Sequence, residues 1–279
     1  FFELRRVCLH PLMGKSRLSA AQMEKFTQEM IRARPDFRNA PRAKVDREVS
    51  TWSDFDKHRA AVEYKLSPEF RVTTDELLAS TKIVELARIL RENSANGDKT
   101  LVFSQFTQYL DVIEDALYAM KIPSMRLDGT TAIADRSVAV GAFQSEGGPL
   151  VFLISMKCGG TGLNLTAANT VVMMDLDFNP QNCRQAEDRV HRLGQTREVV
   201  VHYLVCRDSI EEMILKRVVP KMHLDRQFGG YKATLEDAEG IGAIEESEVA
   251  GTDEVKRAKK RECEVLKELT ELCRSVGNH

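Results

Sequence analysis

Between residues 98 and 208 the chain returns five times to a short run suited to a strand: "TLVFS" (100–104), "MRLDG" (125–129), "LVFLIS" (150–155), "TVVMMDLD" (170–177) and "EVVVHYLV" (198–205). Runs rich in Val, Ile, Leu and Phe, with little polar alternation, mark strands covered on both faces. Between them stand stretches of helical period. Leu110, Ile113, Leu117 and Met120 fall at i, i+3, i+7 and i+10, and residues 136–143 also suit a helix. Strand and helix therefore alternate. That predicts an α/β fold, a parallel sheet with helices on both faces, because parallel neighbours need crossovers and the crossovers cover the sheet. Ligands in such sheets gather beyond the carboxyl ends of the strands. The Gly-rich loop after "LVFLIS" and the helix after "DLDFNP" both lie at that end.

The flanks are read from the same signals. Ile83, Leu86, Ala87 and Leu90 predict an amphipathic helix, whereas residues 14–75, with several prolines and mixed charge, read as helix pieces and loops. Downstream, Ser209 and Glu212 stand at capping-box spacing ahead of a stripe of Ile210, Met213, Ile214 and Val218, which Pro220 should end or kink. Residues 234–254 hold eight acids and no Lys or Arg, the composition of a flexible linker. The last segment carries Val255, Ala258, Val265, Leu266, Leu269 and Leu272 on one side of a helix, with basic residues near its start. The expected division is an entry helix and irregular helical insert over 1–79, an α/β lobe over 80–208, bracing helices over 209–233, the linker over 234–254 and a C-terminal amphipathic helix over 255–279. The opening "FFELRRVCLHPL" reads as the middle of a longer chain.

The formal charge is −2, so a nucleic acid would be held by a local patch and not by global attraction. No run of 18 apolar residues occurs, so no spanning helix and no membrane partner are expected. The six cysteines are scattered without a CxxC pair, which predicts reduced thiols in an intracellular protein and no metal site.

The stretch "RQAEDRVHRLGQ" (184–195) concentrates donors. With Pro180 before it and Gly194 after Leu193 as start and stop signals, it is expected to be helical. Arg189 and Arg192 would then share a face, with Gln185 one turn before Arg189. A nucleoside triphosphate cannot be held by this chain through a P-loop: "GKS" at Gly14–Ser16 has Leu9 where that motif needs glycine. "SMKCGGTGLNL" (155–165) also fails the dinucleotide pattern, because Leu165 stands at the third glycine position counted from Gly160 and Gly162. A Gly-rich loop after one strand and an Arg-x-x-Arg segment after the next do suit a developing phosphoryl charge, since the guanidinium is planar, bidentate and permanently charged.

In order and spacing, "FSQFT", "RLDGTT", "SMKCGGTGLNLTAANTVVMMD", "DFNPQNCRQAEDRVHRLGQT" and "DSIEEMIL" resemble the second RecA-like lobe of SWI/SNF-type DNA translocases, within superfamily-two helicases. The likeness runs over residues 80–225. "FFELRRVCLHPL" resembles the helix that enters that lobe. The segment near "SDFDKHRA", with "FNP" where most families have "WNP", resembles the SMARCAD-type subgroup.

The resemblance implies roles residue by residue. Arg189 and Arg192 match the arginines that reach the ATP phosphates across the interface between lobes, and Gln185 matches the glutamine that opens that motif. Gly160, Gly162 and Asn164 match nucleotide-side positions. Ser104, Gln105, Gly129, Ser155 and Lys157 match positions near the DNA phosphate backbone. Arg126 matches either a DNA contact or, with Asp128, a brace for its own loop, and both roles stay open. Met156, Cys158 and Cys183 depart from the family, which usually has Thr, Ala and an acid there. The resemblance further implies ATP with Mg²⁺, the Mg²⁺ ligands lying on a first RecA-like lobe that also carries the P-loop. It implies double-stranded DNA, nucleosomes and histones as partners, and the nucleus as the location. Alone, this chain is expected to hydrolyse nothing. The rival reading is a non-catalytic RecA-like module that binds DNA or protein.

Overall fold

The computed structural model describes residues 1–158, 164–190, 192 and 194–218. Its centre is one five-stranded parallel sheet: β1 (Lys99–Ser104), β2 (Ser124–Leu127), β3 (Val151–Ser155), β4 (Ala168–Met173) and β5 (Val200–Tyr203), in the order β2-β3-β1-β4-β5. All five predicted strands are present. β1 is central, pairing with β3 from Thr100↔Val151 to Ser104↔Ser155 and with β4 from Thr100↔Thr170 to Phe103↔Met173.

The strands alternate between two cores, as the pleat requires. Val102, Leu153 and Val172 point to one face, against α7 (Thr81–Ala95) and α8 (Thr107–Ala119). Leu101, Phe103, Phe152, Ile154, Val171 and Met173 point to the other, against Phe143 of α9 (Ile133–Gln144) and Cys183 and Ala186 of α10 (Pro180–Glu187). Helices therefore cover both faces, and each strand side chain buried in full contributes about 1.5–3 kcal/mol. Gly97, at φ +71, turns the chain from α7 into β1.

The insert is more regular than its sequence suggests. It comprises α2 (Ala20–Ala33), α3 (Pro35–Arg38), α4 (Arg42–Thr51), α5 (Asp54–Glu63) and α6 (Thr74–Leu78). Capping boxes start three of them: Ser19 with Gln22, Ser53 with Asp56, and Thr73 with Glu76. Phe26, Met30, Phe37, Val45, Val49 and Phe70 close a core of its own, with Trp52 packed at its side. Residues 210–218 are helical, as expected, but Ser209 Oγ accepts from the N–H of Glu211, one residue short of a capping box. The acidic stretch 234–254, the helix expected over 255–279 and the break expected at Pro220 lie outside the described residues.

Two buried ionisable groups fasten the flanks, one to the sheet and one to the insert. Lys82 of α7 donates to the carbonyl of Met174 (2.6 Å) and pairs with Glu211 (2.7 Å), both side chains being under 5% exposed. His10, which follows α1 (Phe2–Leu9), is fully buried. Its Nδ1 accepts from the N–H of Leu12 (3.1 Å), so Nε2 carries the proton and faces the carbonyl of Leu77 at 2.9 Å. That is the neutral ring, and burial lowers the His10 pKa from its usual value.

Since the folded pKa lies below the unfolded one, stability is complete above about pH 6.5 and falls as the pH drops towards the lowered folded value. His58 and His202 are shifted the same way, so a difference measurement is needed. The fall in melting temperature between pH 7.5 and 5.5 should be smaller in His10→Gln than in the wild type. An identical fall in both would show that His10 is not held neutral.

Candidate functional site

At the carboxyl ends of the strands, three exits meet. Ser104 ends β1 and is fully buried; its hydroxyl donates to the carboxyl of Asp175, just beyond β4. The N–H of Gln105 donates to both oxygens of the same carboxyl (3.2 and 3.1 Å). Burial raises the Asp175 pKa, and the bonds from Ser104 and Gln105 oppose that rise. Ser155 ends β3 beside Ser104 in the register and is likewise buried, while Met156 N–H donates to the Ser104 carbonyl (3.0 Å). Of the residues expected near DNA, Gln105 is half-buried, and Gly129 and Lys157 are exposed at this end. Ser104 and Ser155 lie beneath that surface.

Gln105 Nε2 donates to the carbonyl of Leu176 (2.9 Å), which also accepts from Arg5 of α1 (2.6 Å). The Arg5 guanidinium lies over the rings of Phe106 and Phe178, at 5.3 and 5.6 Å from their centroids. Arg126 is tied to Asp111, Glu114 and Asp128, three carboxylates within reach of one guanidinium. Asp128 in turn accepts from the N–H of Thr130 (2.9 Å), and its own N–H donates to Thr131 Oγ1 (3.1 Å). This geometry favours the bracing role for Arg126.

The "DFNPQN" segment is a helix start. Asn179 caps α10 by accepting from the N–H of Gln181 (3.1 Å), Pro180 stands at the first helical position, and Asp177 accepts from Asn179 N–H (2.9 Å) and Asn182 Nδ2 (2.6 Å). Gln185 is exposed on α10. Cys183 is buried against the sheet, and burial pushes its thiol up to about 11.

The expected helix through residue 193 is a correction. α10 ends at Glu187, and the N–H groups of Arg189 and Val190 turn back to Ala186 and Glu187 three residues earlier. Arg189 and Arg192 thus do not share a helix face. The cause is tertiary. The Arg189 carbonyl accepts from the N–H of Leu165 (3.1 Å), and Gln195 Nε2 donates to the carbonyls of Thr166 (3.2 Å) and Ala168 (2.6 Å). Val190 and Leu165 are buried in the same core. The arginine segment is bolted to the exit of the Gly-rich loop. Gly160 and Gly162 lie outside the described residues, and Asn164, just after them, is exposed.

The sequence alone would leave both arginines exposed in the lone lobe, since charged side chains lie mostly outside, and that is a second correction. Arg192 is exposed, but Arg189 is only 6% exposed, and its Nε has no hydrogen-bond partner among the described residues. Burial lowers the Arg189 pKa, and the neighbouring Arg192 charge lowers it further. A desolvated guanidinium with a like charge beside it is costly by itself and favours an anion. Gln195, Asp175 and Lys82 are the residues that sequence reasoning missed. Gln195 and Asp175 stood in segments already singled out, and Lys82 did not. Among the described residues no group of three or more His, Cys, Asp or Glu converges as a metal site.

Residues 81–194 match the model of the helicase conserved C-terminal domain. The chain is 37% identical over 226 residues to the human SWI/SNF-related matrix-associated actin-dependent regulator of chromatin subfamily A containing DEAD/H box 1, covering 81% of this chain and 22% of that protein. It is 34% identical over 240 residues to the ATP-dependent helicase fft2 of Schizosaccharomyces pombe, covering 86% of this chain and 18% of that one. It thus spans about a fifth of the length of these relatives. The crystal structure of the C-terminal part of the Fun30 ATPase domain superposes with a TM-score of 0.72 at 34% identity, covering 77% of this chain and 70% of that one.

Gly129 offers a clean test of which features serve a ligand. It is exposed, and a Cβ built there meets nothing within 4 Å. Gly129→Ala should leave the unfolding free energy unchanged within about 0.5 kcal/mol in urea titration. A larger loss would mean that the fold itself needs glycine there.

Proposed function

Since the chain belongs to the family of helicase C-terminal lobes of SWI/SNF-related ATPases typified by Fun30, we propose that it is the second motor lobe of an ATP-dependent double-stranded DNA translocase that acts on nucleosomes. The observation that carries this reading is Arg189. It is a buried guanidinium whose Nε has no hydrogen-bond partner among the described residues, fixed through its own backbone to the exit of the Gly-rich loop. Arg189 and Arg192 are the arginine fingers. Gln185 stands beside them, and Gly160, Gly162 and Asn164 take the nucleotide side. A finger arginine is worth roughly 10³ to 10⁵ in rate, because phosphoryl transfer is mostly positioning and charge stabilisation. The P-loop and the groups that hold Mg²⁺ belong to a first lobe outside this chain.

DNA lies across the opposite part of the strand ends, over Gln105, Gly129 and Lys157, with Ser104 and Ser155 fixing the turns from below. Closure of the two lobes on ATP and reopening after hydrolysis moves the duplex, and the protein works in the nucleus on chromatin. We divide the chain as an insert to residue 79, a RecA-like lobe over 80–208, a brace over 209–233, a linker over 234–254 and a C-terminal helix. A module that binds DNA without hydrolysis is the second reading. It is favoured by the absence of a P-loop in this sequence and disfavoured by the buried arginine.

Two measurements test the proposal. The chain alone should show no DNA-stimulated ATPase. In a protein carrying both lobes, Arg192→Ala should cut the turnover number by at least about a hundredfold with the melting temperature kept. Arg189→Ala should cut turnover as deeply, and its melting temperature should stay level or rise, because a buried guanidinium whose Nε lacks a partner among the described residues is removed. Normal turnover in both variants would favour the binding module. DNA affinity should be independent of sequence and fall with salt with a logarithmic slope of about −0.9 per phosphate neutralised. Binding that ignores salt would rule out backbone contacts as its source.

A further inference from the structure

Three consecutive residues beyond β4 are held from three different elements. Met174 gives its carbonyl to Lys82 Nζ (2.6 Å), and its N–H donates to the carbonyl of Phe103 in β1 (2.9 Å). Asp175 holds the Ser104 hydroxyl and the Gln105 N–H. Leu176 accepts from Gln105 Nε2 and from Arg5. Behind them, Lys82 pairs with Glu211 (2.7 Å), whose other oxygen accepts from the N–H of Cys206 (2.9 Å) where the chain leaves β5. A chain of bonds therefore runs from the helical residues 210–218 through Glu211, Lys82, Met174 and Asp175 to the turn at Ser104–Gln105.

Stability alone does not explain an ammonium and a carboxylate under 5% exposed. A buried pair of this kind is often no more stabilising than two apolar side chains of similar volume. What the pair provides is geometry. One ammonium at a fixed point satisfies a carboxylate and a backbone carbonyl together, which no apolar side chain can do.

We infer that Lys82 and Glu211 are positioning residues for DNA-coupled hydrolysis: they set the Met174 carbonyl, and through it the Asp175 clamp on the Ser104–Gln105 turn, and they join that clamp to the 210–218 helix. Neither touches a ligand. Displacing the helix displaces the turn, so residues 210–218 are a point from which the grip on DNA is adjusted. The inference rests on the reading above in taking that turn as a DNA contact.

The test uses the full protein with both lobes. Lys82→Met with Glu211→Leu replaces the pair by apolar groups. It should melt well above the Lys82→Met single variant, which leaves a buried carboxylate alone, and near the wild type. ATP turnover at saturating DNA should be largely kept. The DNA concentration for half-maximal stimulation should rise about tenfold, because the turn is misplaced. A double variant that melts like the wild type and keeps its half-saturating DNA concentration overturns the proposal. If the double variant fails to fold, Lys82→Arg, which keeps the charge and moves the donors, takes its place under the same criterion.

Amide exchange gives a second readout that needs no activity. The N–H of Gln105 should exchange faster in the variant while that of Val102, in the middle of β1, does not. Unchanged exchange at Gln105 overturns the proposal. Arg192→Ala, run alongside, separates the two levels. If it leaves turnover intact, the functional reading fails, while the exchange result still decides whether Lys82 and Glu211 set the turn.

Discussion

Asp175 has 1% of its surface exposed, and its two oxygens take a hydroxyl and a backbone N–H from the turn that leaves β1. β1 is the central strand, flanked by β3 and β4, so this turn divides the crest of the sheet. The N–H of half-buried Gln105 needs an acceptor there. The carboxyl supplies one, at a desolvation cost that is visible in its raised pKa. One half of the crest inherits its placement from this bond. Gln105 follows it directly, Leu176 and the aromatic pair around Arg5 follow from Gln105, and Met156 is fastened to the Ser104 carbonyl.

The other half of the crest is organised by hydrogen bonds between loops. Leu165 to Arg189, and Gln195 to Thr166 and Ala168, lock the two loops together before any ligand arrives. Their product is a guanidinium held out of water whose Nε has no hydrogen-bond partner among the described residues, a costly arrangement by itself. In the proposed motor such a group would meet its anion with little reorganisation left for the moment of reaction.

Much of this was legible in the residues. The strands announced themselves because burial on both faces forces near-continuous Val, Ile, Leu and Phe, and their parallel order follows from the helices between them. The cap at Asn179 and Pro180 marks the start of α10. Its end was hidden, because Gln195 and the Leu165 N–H, both set by tertiary contact, stop the helix at Glu187 while the local sequence would let it run on. Lys82 and Glu211 looked like the polar flank of two amphipathic helices; only their meeting 129 residues apart reveals a buried pair. The insert hid for another reason. Its core is assembled from one or two residues on each of several short helices, too few per helix for a period to show, although its three capping boxes were there to be read.

α1 opens the chain, yet what it packs on comes much later: Phe106, Leu176, Phe178 and the thiol of Cys206, which donates to the Cys8 carbonyl 198 residues away. During synthesis the helix leaves the ribosome 171 residues ahead of the Leu176 carbonyl that its Arg5 holds and 198 ahead of the Cys206 thiol. Phe2 has to wait for Phe106, which it meets at 5.4 Å between ring centroids, and Phe2, Leu4 and Val7 stay exposed even in the finished lobe. Contacts this distant in sequence form late, and the waiting apolar segment is open to association with other nascent chains. The first helix of the lobe therefore stays apart from most of its partners while the sheet is made, an exposure that follows from where one arginine finds its two rings.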